Sequence, residues 1–350
     1  MVLLNKIRRF CRDKIKYSLS LFTGRPLWSG KASLAIEVSG VCNLRCPMCS
    51  YRNSSRKKGF MEWRLFEKIV QDAKKNGHTI ASLHFFGEPL MWPHIIDGVA
   101  LLSSKGFFPR ISTNGMLLTG EMARKLQNAG LKEILVTIDT LILEVYQKIR
   151  EGGSFEVVKK NIHDAIKVAP NILISAQFMP TKYNQNESEE TFYKEFGRHT
   201  NFQVRKKVAI RMNNSKNITT ELSHRPDEVD KRLCNMPFFR VDILWDGTTV
   251  LCCMDYEGKL VTGNMKENTI SYSWIGPKVM MLRKKILKGE WNHLVTCRQC
   301  MADHVKIEYD AWRLTDPLTK LPLNYRKILN DIETLGYFDE KLDKCVTRLK

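Results

Sequence analysis

The sequence predicts an α/β chain in which a partial (β/α)6 barrel of TIM type is followed by a small, cysteine-bearing domain. Three observations carry that expectation. Past Trp28, short apolar runs rich in β-branched residues alternate with helical stretches. After Met212 the composition turns polar, and beyond that break cysteines return at Cys234, Cys252, Cys253, Cys297 and Cys300. With 350 residues, 43% of them hydrophobic, the chain can bury a large core, so disorder is not the default reading.

Residues 1–30 come first and are strongly basic. As a helix they would set Leu4, Ile7, Cys11, Ile15, Leu19 and Phe22 on one face and Lys6, Arg9, Arg12 and Lys16 on the other, with Arg8 interrupting the stripe. Such a helix either packs on the outside of the main domain or lies on anionic lipid. The scattered charges exclude a signal peptide and a membrane span. Ten cysteines in a long chain without a secretory signal fit a reducing compartment, so the expected location is cytoplasmic, with peripheral contact at the inner face of the membrane as an option. The formal charge of +19 would draw in phosphate-rich or carboxylate-rich partners. Its basic residues are dispersed, which argues against a nucleic-acid surface.

The barrel is expected over residues 31–212. Strands are read at Leu34 to Ser39 and from Ile80, Pro109, Glu133, Ile172 and Val204; helices at Glu62 to Lys75, Pro93 to Lys105, Gly120 to Asn128, Ser154 to Val168 and Glu187 to Phe196. Repeated βα units imply parallel strands, because neighbouring parallel strands need a long return path, and an open or partial barrel is the natural closure. Residues 213–230 read as a linker, 231–304 as the second domain and 305–350 as a basic helical tail.

Chemistry in such a fold collects at the carboxyl ends of the strands. The stretch CNLRCPMCSY, directly after the first strand, carries Cys42, Cys46 and Cys49. Thiolates at short spacing suit zinc or iron and sulfur. A structural zinc wants four ligands, so a zinc reading must recruit a distant residue such as His84. Three ligands with one open position suit a cluster that binds a cofactor.

The CxxxCxxC spacing resembles the signature of the radical S-adenosylmethionine (SAM) superfamily. Further stretches resemble its motifs in order: FGEP with Gly87 and Glu88, STNG with Ser112 and Asn114, Thr137 with Asp139, and Arg150 in YQKIREGG. The resemblance implies that the three cysteines hold a four-iron four-sulfur cluster whose vacant iron is chelated by SAM. It also implies that Gly87 and Glu88 receive the cofactor's ammonium, that Ser112, Asn114 and Thr137 with Asp139 face its ribose, and that Arg150 pairs with its carboxylate. Phe86 stands where the family has a glycine, and Met48 where it has an aromatic residue.

In the second domain, Cys234, the GxxxxC element ending at Cys252, the TGN at Thr262 and the CxxC of Cys297 and Cys300 resemble the SPASM and twitch extensions of that superfamily. No further cysteine follows Cys300 until Cys345, which favours the twitch form with one auxiliary four-iron four-sulfur cluster held by Cys234, Cys252, Cys297 and Cys300. A zinc knuckle on the same thiolates is the alternative. Cys253 is left over as a small buried residue, an alternate ligand or a hydrogen-atom donor. The resemblance implies a radical oxidoreductase acting on a saccharide-like, possibly lipid-linked, small molecule and fed by an electron donor such as flavodoxin or ferredoxin. The alternatives are a maturase of a ribosomally made peptide, a sugar epimerase using Cys253, and a non-enzymatic scaffold that binds nucleic acid.

Overall fold

The structure, a computed structural model, describes residues 33–181, 183–207, 236–238, 240–287 and 290–302. The basic amino-terminal segment, Cys11, the linker, Cys234, the tail and Cys345 lie outside the described residues.

The core begins with β1 (Ser33–Ile36), α1 (Trp63–Lys75), β2 (Ile80–Ser82), α2 (Ile95–Ser104), β3 (Phe108–Thr113) and α3 (Gly120–Asn128). It continues with β4 (Glu133–Asp139), α4 (Leu143–Ile149), α5 (Phe155–Val168), β5 (Leu173–Phe178), α6 (Glu189–Phe196) and β6 (Phe202–Lys206). The strands from β1 to β6 pair in sequence order and all in parallel, which makes the partial barrel. Local signals explain the helices. In α1 the buried residues Leu65, Phe66, Ile69, Val70 and Ala73 recur at helical spacing. Thr119 and Ser154 cap α3 and α5 by accepting from the Met122 and Val157 amides, and Ser188 with Thr191 forms a capping box for α6.

Two differences from the pattern reading have simple causes. The helix α4 has only seven residues, too few for a clear period, and is held by burial of Val145, Tyr146 and Ile149. The sixth strand begins at Phe202, because Phe202 and Val204 complete the apolar face against the helices.

The second domain does not form a separate sheet. β7 (Arg240–Ile243) runs parallel to β1 in the register Ser33 to Arg240 through Ile36 to Ile243, and β8 (Thr248–Val250) and β9 (Val261–Asn264) add antiparallel strands beyond it. The result is one nine-stranded sheet in the order β6-β5-β4-β3-β2-β1-β7-β8-β9. Three helices follow: α7 (Ile270–Ile275), α8 (Pro277–Leu287) and α9 (Val295–Ala302).

Side-chain alternation assigns the two faces of the sheet. Leu34, Ile36, Ala81, Leu83, Ile111, Ile134, Val136, Ile138, Ile174, Ala176, Val204, Val241 and Ile243 belong to the core packed against the helices. The intervening residues therefore face inward, and apart from Ala35 and Leu135 they are polar: Glu37, Ser82, His84, Arg110, Ser112, Glu133, Thr137, Asp139, Ser175, Gln177, Gln203, Arg205, Arg240 and Asp242.

Glu37, just past β1, joins three segments. Arg56 Nη2 donates to both of its carboxylate oxygens at 2.7 and 2.8 Å, and the amides of Phe86 and Trp245 donate at 3.3 and 3.2 Å. Burial pushes the carboxyl up to about 7 against the pull of Arg56. Glu37→Ala should destabilise the protein by roughly 3 to 5 kcal/mol, because a buried guanidinium and two amides lose their acceptor. Anaerobic urea denaturation of wild type and variant checks this, and a loss below about 1 kcal/mol would remove Glu37 from its central place.

Candidate active site

The cysteine loop between β1 and α1 is held by backbone on both sides. Glu88 N donates to Val41 O at 2.8 Å and Gly40 N to Gly59 O at 2.8 Å. On its far side Arg45 N donates to Glu151 O at 2.9 Å, while Arg52 Nη1 reaches Arg45 O at 2.8 Å and Glu151 at 2.6 Å. Gly87 is required here: its φ is +78°, and a Cβ would stand 2.2 Å from Ser39 O. The departure at Phe86 has a structural use, since its ring stacks on Tyr51 in the cysteine loop at 5.3 Å and meets Tyr256 of the second domain edge-on at 6.2 Å. Met48 packs against the small apolar cluster of Val145, Ile149 and Met179.

The three loop cysteines are surrounded by donors. Leu44 N lies 3.4 Å from Cys42 Sγ, Asn114 Nδ2 lies 3.9 Å from the same sulfur, and Arg150 Nη1 lies 3.7 Å from Cys46 Sγ. Burial pushes the Cys42 thiol up to about 11 and also raises Cys49, so the free thiolate is disfavoured and a bound metal centre is what would deprotonate it. Cys46 and Cys49 both act on the charge of Cys42, so the three thiols share one neighbourhood. Among the described residues no three His, Cys, Asp or Glu side chains converge enough to hold a single ion. His84, the residue a zinc reading would recruit, is set among Arg240, Arg110 and Lys207, and burial with those cations lowers its pKa well below the usual range.

Glu88 is buried, and its carboxylate accepts from Leu90 N at 3.1 Å, Thr113 Oγ1 at 2.8 Å and Asn114 N at 2.8 Å. It thereby joins the β2 and β3 loops, while Asn114 Nδ2 donates to Asn43 Oδ1 at 2.8 Å in the cysteine loop. Thr137 Oγ1 donates to Thr113 O at 3.2 Å, and Ser112 lies half-buried on the inner face. Arg150, at the end of α4, is ion-paired through Nη2 with Asp139, whose other oxygen accepts from Gln177 Nε2 at 2.7 Å. Burial opposes the Arg150 charge, but Asp139 and Cys46 raise its pKa overall. Its Nε is buried without a hydrogen-bond partner, a donor left for an anionic group beside Cys46. Asp139 holds a left-handed φ of 66°, a conformation that a non-glycine residue keeps only when its surroundings over-determine it. Gln177, and Asp139 as a partner of Arg150, are site features that pattern reading alone did not single out.

The second cysteine group is assembled by Asp255. Its carboxylate accepts from Lys259 N at 3.0 Å, Leu260 N at 2.7 Å and Thr296 Oγ1 at 3.0 Å, and its own amide donates to Cys252 O at 3.1 Å. This ties the Cys252 turn to the start of α9, where Cys297 and Cys300 are three residues apart and so share a helix face. Cys253 lies among inward-facing groups instead, with Arg240, Asp242 and Lys207 acting on its charge, and burial raises its pKa.

A model of the radical SAM superfamily matches residues 36–196, and a model of the SPASM iron-sulfur cluster-binding domain matches residues 234–301. The chain carries a radical SAM domain followed by a SPASM domain. Its cofactors are accordingly a SAM-binding four-iron four-sulfur cluster, auxiliary iron-sulfur binding in the SPASM domain, and S-adenosylmethionine. The radical SAM chain is 37% identical over 110 residues to a tungsten-containing aldehyde ferredoxin oxidoreductase cofactor-modifying protein of Pyrococcus furiosus, covering 31% of each chain. It is 35% identical over 140 residues to a probable GTP 3′,8-cyclase of Methanococcus maripaludis, covering 39% of this chain and 46% of that one. The matches thus span 31% and 46% of the length of these curated relatives. Two solved structures share the fold. BtrN in complex with AdoMet and 2-DOIA has a TM-score of 0.52 at 19% identity, covering 79% of this chain and 94% of that one. AnSMEcpe with AdoMet and the Cp18Cys peptide has a TM-score of 0.57 at 18% identity, covering 91% and 99%.

The pH dependence of folding gives a test of the Glu88 site. Burial raises the Glu88 pKa to about 7, against the hydrogen bonds from Asn114, Leu90 and Thr113. The folded state therefore holds this proton more tightly than the unfolded state. Its contribution is complete below the ordinary carboxyl pKa of about 4.3 and is lost as pH rises through about 7. In cluster-free protein, Glu88→Gln should lower stability overall yet flatten its decline across that window. Denaturant midpoints measured at several pH values check this, and parallel curves would show that Glu88 does not titrate there.

Proposed function

We propose that this radical SAM enzyme carries out a two-electron oxidation of an alcohol or amine carbon in a saccharide-like small molecule held inside the barrel. The observation that carries the reading is the inner face of the sheet. It offers hydroxyl, amide and charged groups on almost every strand, with the first cysteine loop beyond β1 and Cys253 among its cations. Such a chamber suits a substrate rich in hydrogen-bonding groups.

Cys42, Cys46 and Cys49 hold the first cluster in this reading. Gly87 brings backbone close to the loop, Glu88 organises the β2 and β3 loops, and Asn114, Ser112 and Thr137 line the cofactor's place. Arg150, oriented by Asp139 and with Nε unengaged, meets the cofactor's carboxylate. When bound, the cluster and SAM together supply a 5′-deoxyadenosyl radical able to take hydrogen from an unactivated carbon. Cys234, Cys252, Cys297 and Cys300 hold one auxiliary cluster, and four protein ligands leave it suited to receiving an electron. Among the described residues no helix is long and apolar enough to cross a membrane.

Anaerobic reconstitution should give about eight irons per chain, and replacing Cys42, Cys46 and Cys49 together by Ala should leave about four. Iron analysis decides: loss of all iron in the triple variant, or zinc in the second site, contradicts the ligand assignment.

Reaction type is separable by mass spectrometry in deuterium oxide. The expected product is lighter than the substrate by two hydrogens, with product formation lost more than SAM cleavage when Cys297 and Cys300 are replaced. An isobaric product carrying solvent deuterium, dependent on Cys253, would instead make the enzyme an epimerase. A modified peptide in place of a small molecule would make it a maturase.

A further inference from the structure

Three stretches of chain must meet if Cys234, Cys252, Cys297 and Cys300 are to hold one cluster, and α8 stands at their junction. Its buried residues Val279, Leu282 and Ile286 recur at helical spacing and pack with Leu251, Leu260 and Leu294. Leu251 directly precedes Cys252, and Cys297 packs against this same apolar cluster. Two of the three stretches are therefore seated on one side of α8, and Asp255 ties them to each other.

The third stretch reaches α8 through Arg283. This residue follows Leu282, so it leaves the helix about 100° away from the apolar seam, and its side chain is fully buried. Nε donates to Pro237 O at 2.9 Å and Nη1 to Trp274 O at 2.6 Å. The guanidinium carbon stands 4.3 Å from the centre of the Trp274 ring and 5.5 Å from that of Phe238. Trp274 O lies in the last turn of α7, where carbonyls lack an intrahelical partner. Pro237 and Phe238 are buried in the short helical turn Met236–Phe238 that leads into β7. Cys234 lies outside the described residues, yet it is three residues before Pro237 in the chain, a reach of at most about 11 Å.

We propose that Arg283 is a positioning residue of the auxiliary cluster, holding the stretch that carries Cys234 beside those that carry Cys252, Cys297 and Cys300. This rests on the assignment of those four cysteines to one cluster. Burial lowers the Arg283 pKa to about 9, so the charge is kept inside the domain at a cost. An apolar side chain would avoid that cost, but it could not grip carbonyls of two separate segments at once. What the arginine adds is geometry, a rigid fork of donors whose position α8 fixes. It acts on the ligand through backbone carbonyls.

The test uses the full-length protein reconstituted anaerobically and reads iron content and electron paramagnetic resonance. Arg283→Met removes both donors while keeping apolar bulk, and losing a buried charge offsets losing two hydrogen bonds, so the domain should still fold. Its auxiliary cluster should be left short of the Cys234 ligand and convert on mild oxidation to a three-iron form, with about seven irons per chain where wild type holds about eight. Cys234→Ala should give the same spectrum, and the two changes together no more than either alone, because both act on one ligand. Arg283→Lys keeps a charged donor beside the Trp274 ring and should retain the four-iron signal. SAM affinity in Arg283→Met should stay within about twofold of wild type, since the first cluster is untouched. The inference is overturned by an auxiliary cluster of unchanged iron count and midpoint potential in Arg283→Met, or by additive effects of the two substitutions. Loss of both clusters with a lowered denaturation midpoint of the cluster-free protein would make Arg283 merely structural, which also overturns it. Should Arg283→Met not fold, Arg283→Gln, with one amide for two carbonyls, is read on the same signals by the same criteria. An intact auxiliary cluster in Cys234→Ala would strike Cys234 from the ligand set and the inference with it. An altered cluster in Cys234→Ala beside an unaltered one in Arg283→Met would leave the ligand set standing and overturn only the role of Arg283.

Discussion

Glu37 sits where β1 gives way to the cysteine loop, and its one carboxylate binds three segments that are far apart in the chain. Arg56 lies on the return path of that loop, Phe86 on the loop after β2, and Trp245 on the turn after β7. A charge so deeply buried is tolerated only because each oxygen is satisfied by donors, the strongest a guanidinium gripping both. The cysteine loop, the Gly87–Glu88 turn and the second domain are thus held in one mutual position. Trp245 adds to this by lying so close over Gly40 that a Cβ there would meet its ring at 2.6 Å.

From that junction the site grows by further bridges of the same kind. Glu88 links the loops after β2 and β3, Asn114 links the latter back to the cysteine loop, and Asp139 fixes Arg150 beside Cys46. In the second domain Asp255 repeats the device by joining the Cys252 turn to α9. Buried acids bridge loops by accepting several amide, hydroxyl or guanidinium donors at once. Such bridges orient the cysteine sulfurs without relying on the loops' own stiffness.

Much of the barrel was legible because its signals are local and periodic. The outward strand residues are continuous in character, the helices carry caps and apolar stripes, and Gly120 to Asn128 was bounded correctly by Thr119 and by the Ala-Gly pair that follows. The order of the motifs along the chain was legible too, since strand ends in a parallel fold fall on one side. What could not be read was set by contacts between distant residues. Nothing near Glu37 in sequence announces Arg56 and Trp245 as its partners. The continuity of β7 with β1 was equally hidden, because a strand's pairing partner depends on register and topology rather than composition.

The sequence by itself determined the class of fold, the superfamily resemblance and the identity of the sulfur ligands proposed for its clusters, since these depend on short spacings and on periodicity within single segments. Only the tertiary structure decided that the second domain shares the barrel's sheet, that buried acids join the loops around the cysteines, and that cations of the inner face meet carboxylates from other strands and loops. Charge balance in a buried space is a sum over every strand that faces it, and no single stretch of chain contains that sum.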